Sequence, residues 1–239
     1  MAIQVKNSEE FQRLLQNLSL ELVDANIAFR MHTDLIAAYE GEFGEEMRQA
    51  WTFWSLTIQA HVESAIFRLC RIYDQDDKNL GLRGLLDTIR ANPHLFSKEE
   101  FGKRVEGRPA AGLLAADLPA LDREQLRRDT DYVTRATNPV VDRLIDVRHN
   151  FYSHRNARDV VEGRPVAEAH PHMREEVGEL LRGGMEISNR YSQLFHAEMW
   201  STNMVGRDDY NYVLRAVTKR LEAHRAEIEA QIKQFGGAT

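Results

Sequence analysis

The chain has 239 residues, of which 43% are hydrophobic and 28% are charged, and its formal net charge is -6. This composition supports a buried core and argues against a disordered protein. The negative charge argues against a protein that coats nucleic acid along its whole surface, because such binding needs a broad basic face. The single cysteine, Cys70, excludes an internal disulfide and a cysteine-based zinc site.

The most apolar stretch of the chain runs from Ala50 to Tyr73 and contains charged residues such as Glu63 and Arg68. It therefore falls short of the ~20 consecutive apolar residues that a membrane span requires. The first residues show no apolar signal core after a basic start. We expect a soluble, cytoplasmic protein that has no membrane partner.

Helical periodicity dominates both ends of the chain. Ser8, followed by two glutamates, is the expected N-cap of a helix over about 8-39, in which apolar residues recur at spacings of three and four. A second long helix is predicted over about 45-73, and Asn79 is the expected cap of a short helix after it. Further long helices are predicted over about 173-200 and 208-234.

The middle of the chain contains all six prolines, between Pro93 and Pro171. We predict an irregular insertion over about 92-121, in which Ser97 caps a short helix. The core helical region over about 122-154 begins with a polar helix and continues after Asn138-Pro139, a helix-start signal. Since the sequence shows no alternating strand pattern, it predicts an all-α fold. We expect a single domain over 1-239, an up-and-down bundle of four to five long helices with short extra helices.

Arg148 lies at the centre of the apolar stripe of the helix that starts at Pro139. Its neighbours on the stripe are Val141, Leu144, Ile145, Phe151 and Tyr152. A buried arginine must find partners, because an unpaired buried charge is strongly destabilising. His154 follows six residues later, where the helix should end and a side chain can face a cleft. Two interpretations remain open: a functional Arg/His pair, or an arginine that pairs with an acidic residue of a neighbouring helix.

Three other Arg/His pairs share this six-residue spacing: Arg143/His149, Arg164/His170 and Arg190/His196. The first pair lies on the polar side of its helix, the second lies in a loop bounded by prolines, and the third lies within a continuous helical pattern. Only Arg148 and His154 combine a cation on an apolar face with a helix end.

The run RHNFYSHRN, residues 148-156, resembles the R-x4-6-H signature of HEPN domains. The segment AIFRLCRIYDQDDKNLGLRGLLDTI, residues 65-89, resembles the abortive-infection U-type (AbiU-like) branch of that superfamily. In that branch a long helix ends in an Arg-Leu…Asp turn, and a leucine-rich short helix follows. The resemblance covers roughly residues 45-158.

The resemblance implies a homodimeric, metal-independent endoribonuclease without a cofactor, in which two Arg/His pairs form one cleft. His154 would be the general acid or base for attack by the ribose 2′-hydroxyl on the adjacent phosphate, since an imidazole titrates near neutral pH. Arg148 would stabilise charge on the phosphoryl oxygens. His149, the polar residue after the arginine, would be a positioning residue or a secondary phosphate contact. The products would carry a 2′,3′-cyclic phosphate and a 5′-hydroxyl.

Other residues around the motif are candidates for RNA binding. Arg143, Arg155 and Arg158 would add a local positive patch to an acidic chain. Tyr152 fits a core position as well as a base-stacking position. Asp74, Asp76 and Asp77 resemble part of a calcium loop, but Lys78 occupies the third ligand position, so a charged turn is expected.

The resemblance further implies a phage-defence or toxin effector, with RNA as substrate and an antitoxin or a nucleotidyltransferase as partner protein. In one HEPN group the transferase modifies a tyrosine two positions after the histidine, and Asn156 occupies that position here. We therefore do not extend that regulation to this chain. The alternative hypothesis is a catalytically inactive HEPN module that binds a protein or nucleotide. A helical-bundle metalloenzyme ranks last, because the chain lacks repeated Glu-x-x-His pairs.

Overall fold

The structure is a computed structural model, which describes residues 2-148, 173-204, 206 and 208-236. Within these residues the regular elements are all helices and no strand occurs, which confirms the predicted all-α class. None of the described helices combines the length and the apolar character needed to cross a membrane.

The described residues form ten α-helices and one 3-10 helix. In order, they are α1 (Ser8–Glu40), α2 (Gly44–Gln49), α3 (Trp51–Ile72), α4 (Leu82–Ala91), the 3-10 helix η1 (Pro93–Phe96), α5 (Lys98–Val105), α6 (Ala111–Ala116), α7 (Arg123–Val133), α8 (Pro139–Val147), α9 (Met173–His196) and α10 (Tyr210–Gly236).

The described residues form two compact units. Unit 1 takes its residues from the ranges Met1–Asn26 and Ser64–Thr202, and unit 2 takes its residues from Ile27–Glu63 and Asn203–Thr239. The long helices α1 and α3 each contribute residues to both units. That the whole chain forms a single domain stays a prediction.

Unit 1 has an aromatic centre made by three phenylalanines. The Phe11 ring lies 4.9 Å from the ring of Phe195 and 5.5 Å from that of Phe96. Arg104 covers Phe195 at 3.9 Å, and its guanidinium donates to the carbonyl oxygens of Phe195 and Leu95. We predicted an irregular insertion over 92-121 with one short helix. The structure has three helices there, η1, α5 and α6. Arg104 connects α5 to the end of α9.

A buried carboxylate joins α7 to α9. Asp129 accepts hydrogen bonds from Arg190 at 2.6 Å and from the Tyr191 hydroxyl at 2.7 Å. Gln125 donates to its other oxygen at 2.8 Å. The contacts of Arg190 are thus structural, as its position inside a helical pattern suggested.

Unit 2 has a smaller core in which α10 packs on the α1, α2 and α3 residues of that unit. Its buried members are Leu35, Phe43, Met47, Trp54 and Leu214. The predicted helix over about 45-73 is interrupted here, since Ala50 leaves the helical backbone conformation between α2 and α3.

The helix caps follow local chemistry and correct two predictions. Asn7, not Ser8, caps α1, because its side-chain oxygen accepts the N–H of Glu10. Gly81, not Asn79, precedes α4. The predicted caps Ser97 and Asn138 are confirmed: each accepts a backbone N–H of the first turn, for α5 and α8 respectively.

The end of α9 also differs from its predicted position near Trp200. The helix ends at His196, and Ala197 takes a left-handed backbone conformation with φ of 54°. After the helix, the backbone N–H of Trp200 donates a hydrogen bond to the side-chain oxygen of Asn189 at 2.7 Å.

Candidate functional site

Arg148 follows α8 directly and is held at the end of that helix. The apolar residues Val141, Leu144 and Ile145 of α8 are buried, as the helical wheel predicted. The Arg148 backbone N–H donates to the carbonyl oxygens of Leu144 and Ile145, so its Cα continues the helical path. Its side chain is about one third exposed (34%), which puts the guanidinium at the margin of the core.

The partner of Arg148 is Asp74, two residues after the end of α3. The Arg148 Nη1 atom lies 2.9 Å from Asp74 Oδ2, and the Asp74 side chain is only 9% exposed. This pair belongs to unit 1. One of the two open interpretations was that Arg148 pairs with an acidic residue of a neighbouring helix. The structure shows an acidic partner, but Asp74 lies in the turn after α3 and not within a helix.

The Asp74 carboxylate is fixed by two further hydrogen bonds. Its Oδ1 accepts the backbone N–H of Asp76 at 3.0 Å, and its Oδ2 accepts the side-chain amide of Asn79 at 3.1 Å. Burial raises the pKa of Asp74, but the N–H of Asp76 and the guanidinium of Arg148 together outweigh burial, so that its pKa is lowered. Asp74 is thus a charged, rigid acceptor for Arg148.

The aspartates after α3 form a hydrogen-bonded turn. Asp74 stabilises the backbone of Asp76, and Asp76 in turn accepts the backbone N–H of Lys78 at 3.0 Å. In the part of the chain that the structure describes, no group of three or more metal-ligating side chains is arranged to hold a metal ion.

Tyr73 anchors the end of α3 next to Asp74. Its side chain is fully buried and its hydroxyl donates to the carbonyl oxygen of Leu180 in α9 at 2.7 Å. This contact depends on Gly184, since a Cβ there would lie 3.2 Å from the Tyr73 hydroxyl and 2.8 Å from a methyl group of Leu22. The sequence contains a signal for this close approach, the pair Gly183-Gly184 inside a helical pattern, which our sequence interpretation did not use.

Cys70 lies one helical turn before Asp74 and within electrostatic reach of the pair. Burial raises the pKa of its thiol to about 12, and Asp74 raises it too, whereas Arg148 acts in the opposite direction. Burial therefore favours the protonated thiol of Cys70 at neutral pH.

Arg143, the other described candidate, has a partner of its own. Its Nε and Nη2 atoms lie 2.8 and 2.6 Å from one carboxylate oxygen of Glu176 in α9. The hydrogen bond to Glu176 raises the pKa of Arg143. Since residues five apart on a helix point about 140° away from each other, Arg143 and Arg148 lie on different faces of α8.

The remaining candidates lie outside the residues that the structure describes. They are His149, Tyr152, His154, Arg155 and Arg158. The structure thus positions the cation of the predicted Arg/His pair, and the role of its histidine stays a prediction from the sequence.

Comparison with known proteins identifies the family. The family model for AbiU2, a HEPN family, matches residues 8-216. No curated protein matches the chain, and no solved structure does. The match covers most of the chain, including the Arg148 and Asp74 site and the segment that contains His154. The chain therefore belongs to the AbiU2 family of HEPN proteins.

Proposed function

We propose that the chain is a metal-independent endoribonuclease in which Arg148 and His154 act together, in a cleft formed by two copies. The observation that carries the proposal is the Arg148–Asp74 pair. A rigid, buried carboxylate holds this cation at the end of α8, five residues before the start of the sequence Ser153-His154. The family match over residues 8-216 supports a HEPN-type nuclease.

Arg148 would stabilise negative charge on the phosphate that is attacked. A guanidinium carries five N–H donors in one plane, so a bond to Asp74 is compatible with further bonds to phosphoryl oxygens. Because Asp74 holds the guanidinium in place before substrate binds, little reorganisation is needed when charge develops.

His154 would move the protons of the reaction. The 2′-oxygen of the ribose attacks the phosphorus, the bond from phosphorus to the 5′-oxygen breaks, and a 2′,3′-cyclic phosphate and a 5′-hydroxyl result. The imidazole takes the proton of the 2′-hydroxyl or protonates the departing 5′-oxygen. Two copies in one cleft would supply a base and an acid at the same time.

The RNA would be held by residues around the motif. His149 would contact a phosphate as the polar residue after Arg148. Arg143, Arg155 and Arg158 would attract the backbone, while Tyr152 would stack on a base. We expect a narrow, structured substrate, because the chain as a whole is acidic.

Cleavage of total bacterial RNA in excess EDTA tests the proposal. Purified wild type should give fragments with cyclic-phosphate ends, and Arg148→Ala and His154→Ala should give none. Arg164→Ala and His170→Ala are matched controls, because they have the same residue types and spacing. Equal cleavage by His154→Ala would exclude the role of this histidine, and intact RNA with wild type would favour the alternative.

The alternative is a catalytically inactive HEPN module that binds a protein or nucleotide, and the same ion pair supports it. If Asp74 and Arg148 only join α8 to the end of α3, Arg148→Ala should lower stability and assembly together. A nuclease would instead lose cleavage while its oligomeric state persists. Unfolding and light scattering of Arg148→Ala, measured beside the cleavage assay, distinguish these cases.

The cellular role that we propose is a phage-defence or toxin effector in the cytoplasm, with an antitoxin or a nucleotidyltransferase as partner protein and without modification of a tyrosine after His154. The AbiU2 family match supports an abortive-infection role. Overexpression in bacterial cells should then arrest growth, and His154→Ala should relieve the arrest. Growth arrest by both proteins would disconnect toxicity from the proposed site.

A further inference from the structure

Gln75 engages its whole side-chain amide in the turn that carries Asp74. Its Nε2 atom donates to the carbonyl oxygens of Tyr73 at 2.7 Å and of Val133 at 3.0 Å. Its Oε1 atom accepts the backbone N–H of Arg135 at 3.1 Å. A side-chain amide has two N–H donors and one carbonyl oxygen, so both donors and the oxygen are in use here.

These bonds join two parts of the chain that are far apart in sequence. Tyr73 directly follows α3, whereas Val133 is the last residue of α7. Val133 and Arg135 come 58 and 60 residues after Gln75. We call residues 132-138, the end of α7 and the segment up to α8, the α7–α8 junction. Gln75 thereby holds the turn after α3 against this junction.

The α7–α8 junction also fixes the start of α8. The Asn138 side chain is buried, and its oxygen accepts the backbone N–H of Val140 at 2.9 Å. The amide nitrogen of the same side chain donates to the carbonyl oxygen of Tyr132 at 2.7 Å. Because Asn138 binds both sides, the first turn of α8 is fixed on the part of the chain that Gln75 holds.

The contacts around Arg148 therefore form a closed circuit. The ion pair leads from Arg148 to Asp74, the chain leads on to Gln75, and the Gln75 amide bonds to the α7–α8 junction. From there α8 leads back to Arg148, which directly follows it. All of these residues belong to unit 1. A shift of α8 against the turn after α3 would stretch at least one hydrogen bond of this circuit.

The ion pair by itself does not determine the direction of the guanidinium. Within the described residues, the Nη1 atom of Arg148 donates to one oxygen of Asp74. A single contact fixes a distance, and the group can still pivot about it. The guanidinium carries its five N–H donors in one plane, so a small rotation of α8 would redirect all of those that do not face Asp74.

We propose that Gln75 is a positioning residue for RNA cleavage. It orients the Arg148 guanidinium toward the phosphate because it fixes the turn of Asp74 against the start of α8. This inference rests on the proposed function, in which Arg148 acts on the phosphate. The role requires an amide: a carboxylate at position 75 would place an oxygen against two carbonyl oxygens, and an apolar side chain would make none of the three hydrogen bonds.

Cleavage kinetics of Gln75→Met and Gln75→Glu in the full chain test the proposal, on an RNA oligonucleotide copied from a wild-type cleavage site. Methionine keeps the length of the side chain without its hydrogen bonds, and glutamate loses both donors. Each change should lower kcat by about tenfold or more, since a misplaced group loses its alignment in the transition state. KM should stay within about twofold. Gln193→Met is the matched control, because Gln193 is exposed on α9, and it should cleave like wild type.

A second background separates positioning from a purely structural role. In Asp74→Asn the ion pair is already lost, so that adding Gln75→Met should lower kcat by less than about twofold. A purely structural residue would lower kcat by the same factor in both backgrounds. Circular dichroism shows whether each variant keeps its helices. Equal factors in both backgrounds would overturn the proposal, as would a wild-type kcat in Gln75→Met.

Urea unfolding follows the same circuit without RNA. Gln75→Met and Arg148→Ala, alone and together, should change the unfolding equilibrium constant non-additively by at least about twofold, because Asp74 links the two residues. Additive changes would overturn the circuit. If wild type leaves the RNA intact, the proposed nuclease fails, and the unfolding measurement alone decides whether Gln75 holds the cation.

Discussion

The guanidinium of Arg148 donates to the carboxylate of Asp74 over 2.9 Å, and the acid is the more deeply buried of the two. A mostly buried acid is a fixed anchor, and a cation at its edge can also face solvent or a ligand. The pair thereby fixes where one positive charge stands at the end of α8.

The anchor itself depends on a contact further inside unit 1. Tyr73 directly precedes Asp74, and its hydroxyl bonds to α9 beside Gly184. The position of the charge at Arg148 is thus connected through Asp74 and Tyr73 to the packing of α3 against α9. Changes in this packing should therefore act on the site as well as on stability.

Asp74→Asn should weaken both the site and the fold. The amide keeps the size of the side chain but loses the charge that holds Arg148. We expect the free energy of unfolding to fall by roughly 1.5-3 kcal/mol, the range for hydrogen bonds to charged groups. Cleavage should fall by about 10- to 100-fold in kcat/KM, since a displaced catalytic group loses its alignment.

Urea unfolding and cleavage kinetics measure the two effects of Asp74→Asn. Asp76→Asn is the matched control in the same turn, because Asp76 gives Asp74 only its backbone N–H and an asparagine can still accept the N–H of Lys78. If Asp74→Asn equals wild type in both assays, the anchoring role is wrong. If stability falls but cleavage stays unchanged, the pair is structural only.

Stability should depend on acid pH through Asp74. Its pKa is lowered from 3.8 in the folded chain, so the unfolded chain binds a proton first as the pH falls. The stabilising contribution is therefore fully present above the unfolded pKa and is lost as the pH falls through the lowered folded pKa. Urea unfolding of wild type and Asp74→Asn at pH 7 and pH 3 should show that the difference between the two proteins shrinks in acid. A difference that stays constant would contradict this linkage.

The sequence predicted part of this site, for reasons that are physical. The helical wheel showed that Arg148 faces apolar neighbours and therefore needs a partner. It did not show that the partner is Asp74, because contacts between residues 74 positions apart depend on how α3 and α8 pack. Asp74 looked like one member of a charged turn, and only its burial distinguishes it from Asp76.

The helices were easier to predict than their ends. Periodicity indicated α1, α3, α9 and α10, because apolar residues at spacings of three and four must share a face. Asn7 and Ser8 are both good caps, so composition alone did not decide between them. The break at Ala50 has no glycine or proline to mark it, and the sequence pattern therefore continued through it.

Alanine should have opposite effects at two glycines inside helices. Gly184→Ala should lower the free energy of unfolding by roughly 1-3 kcal/mol, because its methyl group would press on Leu22 and Tyr73, which are fully buried. Gly102→Ala, in α5, has no atom near the new methyl group and should raise stability by up to about 1 kcal/mol through helix propensity. Urea unfolding measures the change in free energy of unfolding for each variant. If both variants are stabilised or both are destabilised, the packing argument is wrong.

Gly184→Ala should also disturb the site at a distance, since Tyr73 and Asp74 are neighbours. Cleavage at a temperature where the variant is fully folded should be slower than for wild type, while Gly102→Ala should cleave normally. Unchanged cleavage by folded Gly184→Ala would show that Asp74 does not depend on the Tyr73 anchor.

Arg143 should contribute to RNA binding, whereas Arg148 should act in the cleavage step. Arg143 is held by Glu176, so that removal of the acid should free its cation for phosphate. We expect Arg143→Ala to weaken binding of RNA for all sequences and to reduce the slope of log affinity against log salt by about 0.7 to 0.9, the range for one phosphate contact on a single strand or a duplex. Glu176→Gln should do the reverse and tighten binding, because the guanidinium then loses its competitor.

The Arg143 and Glu176 variants are each combined with His154→Ala, so that the RNA is not cleaved. Their RNA binding is then titrated over a range of salt concentrations. Arg135→Ala is the matched control, because Arg135 also bridges acids, Asp142 and Asp146, but belongs to the segment before α8. The control should leave the salt slope unchanged. If Arg143→Ala behaves like the control while Glu176→Gln leaves binding unchanged, Arg143 serves only to join α8 to α9. The positive patch would then consist of Arg155 and Arg158, and the same titration on their alanine variants would measure their share.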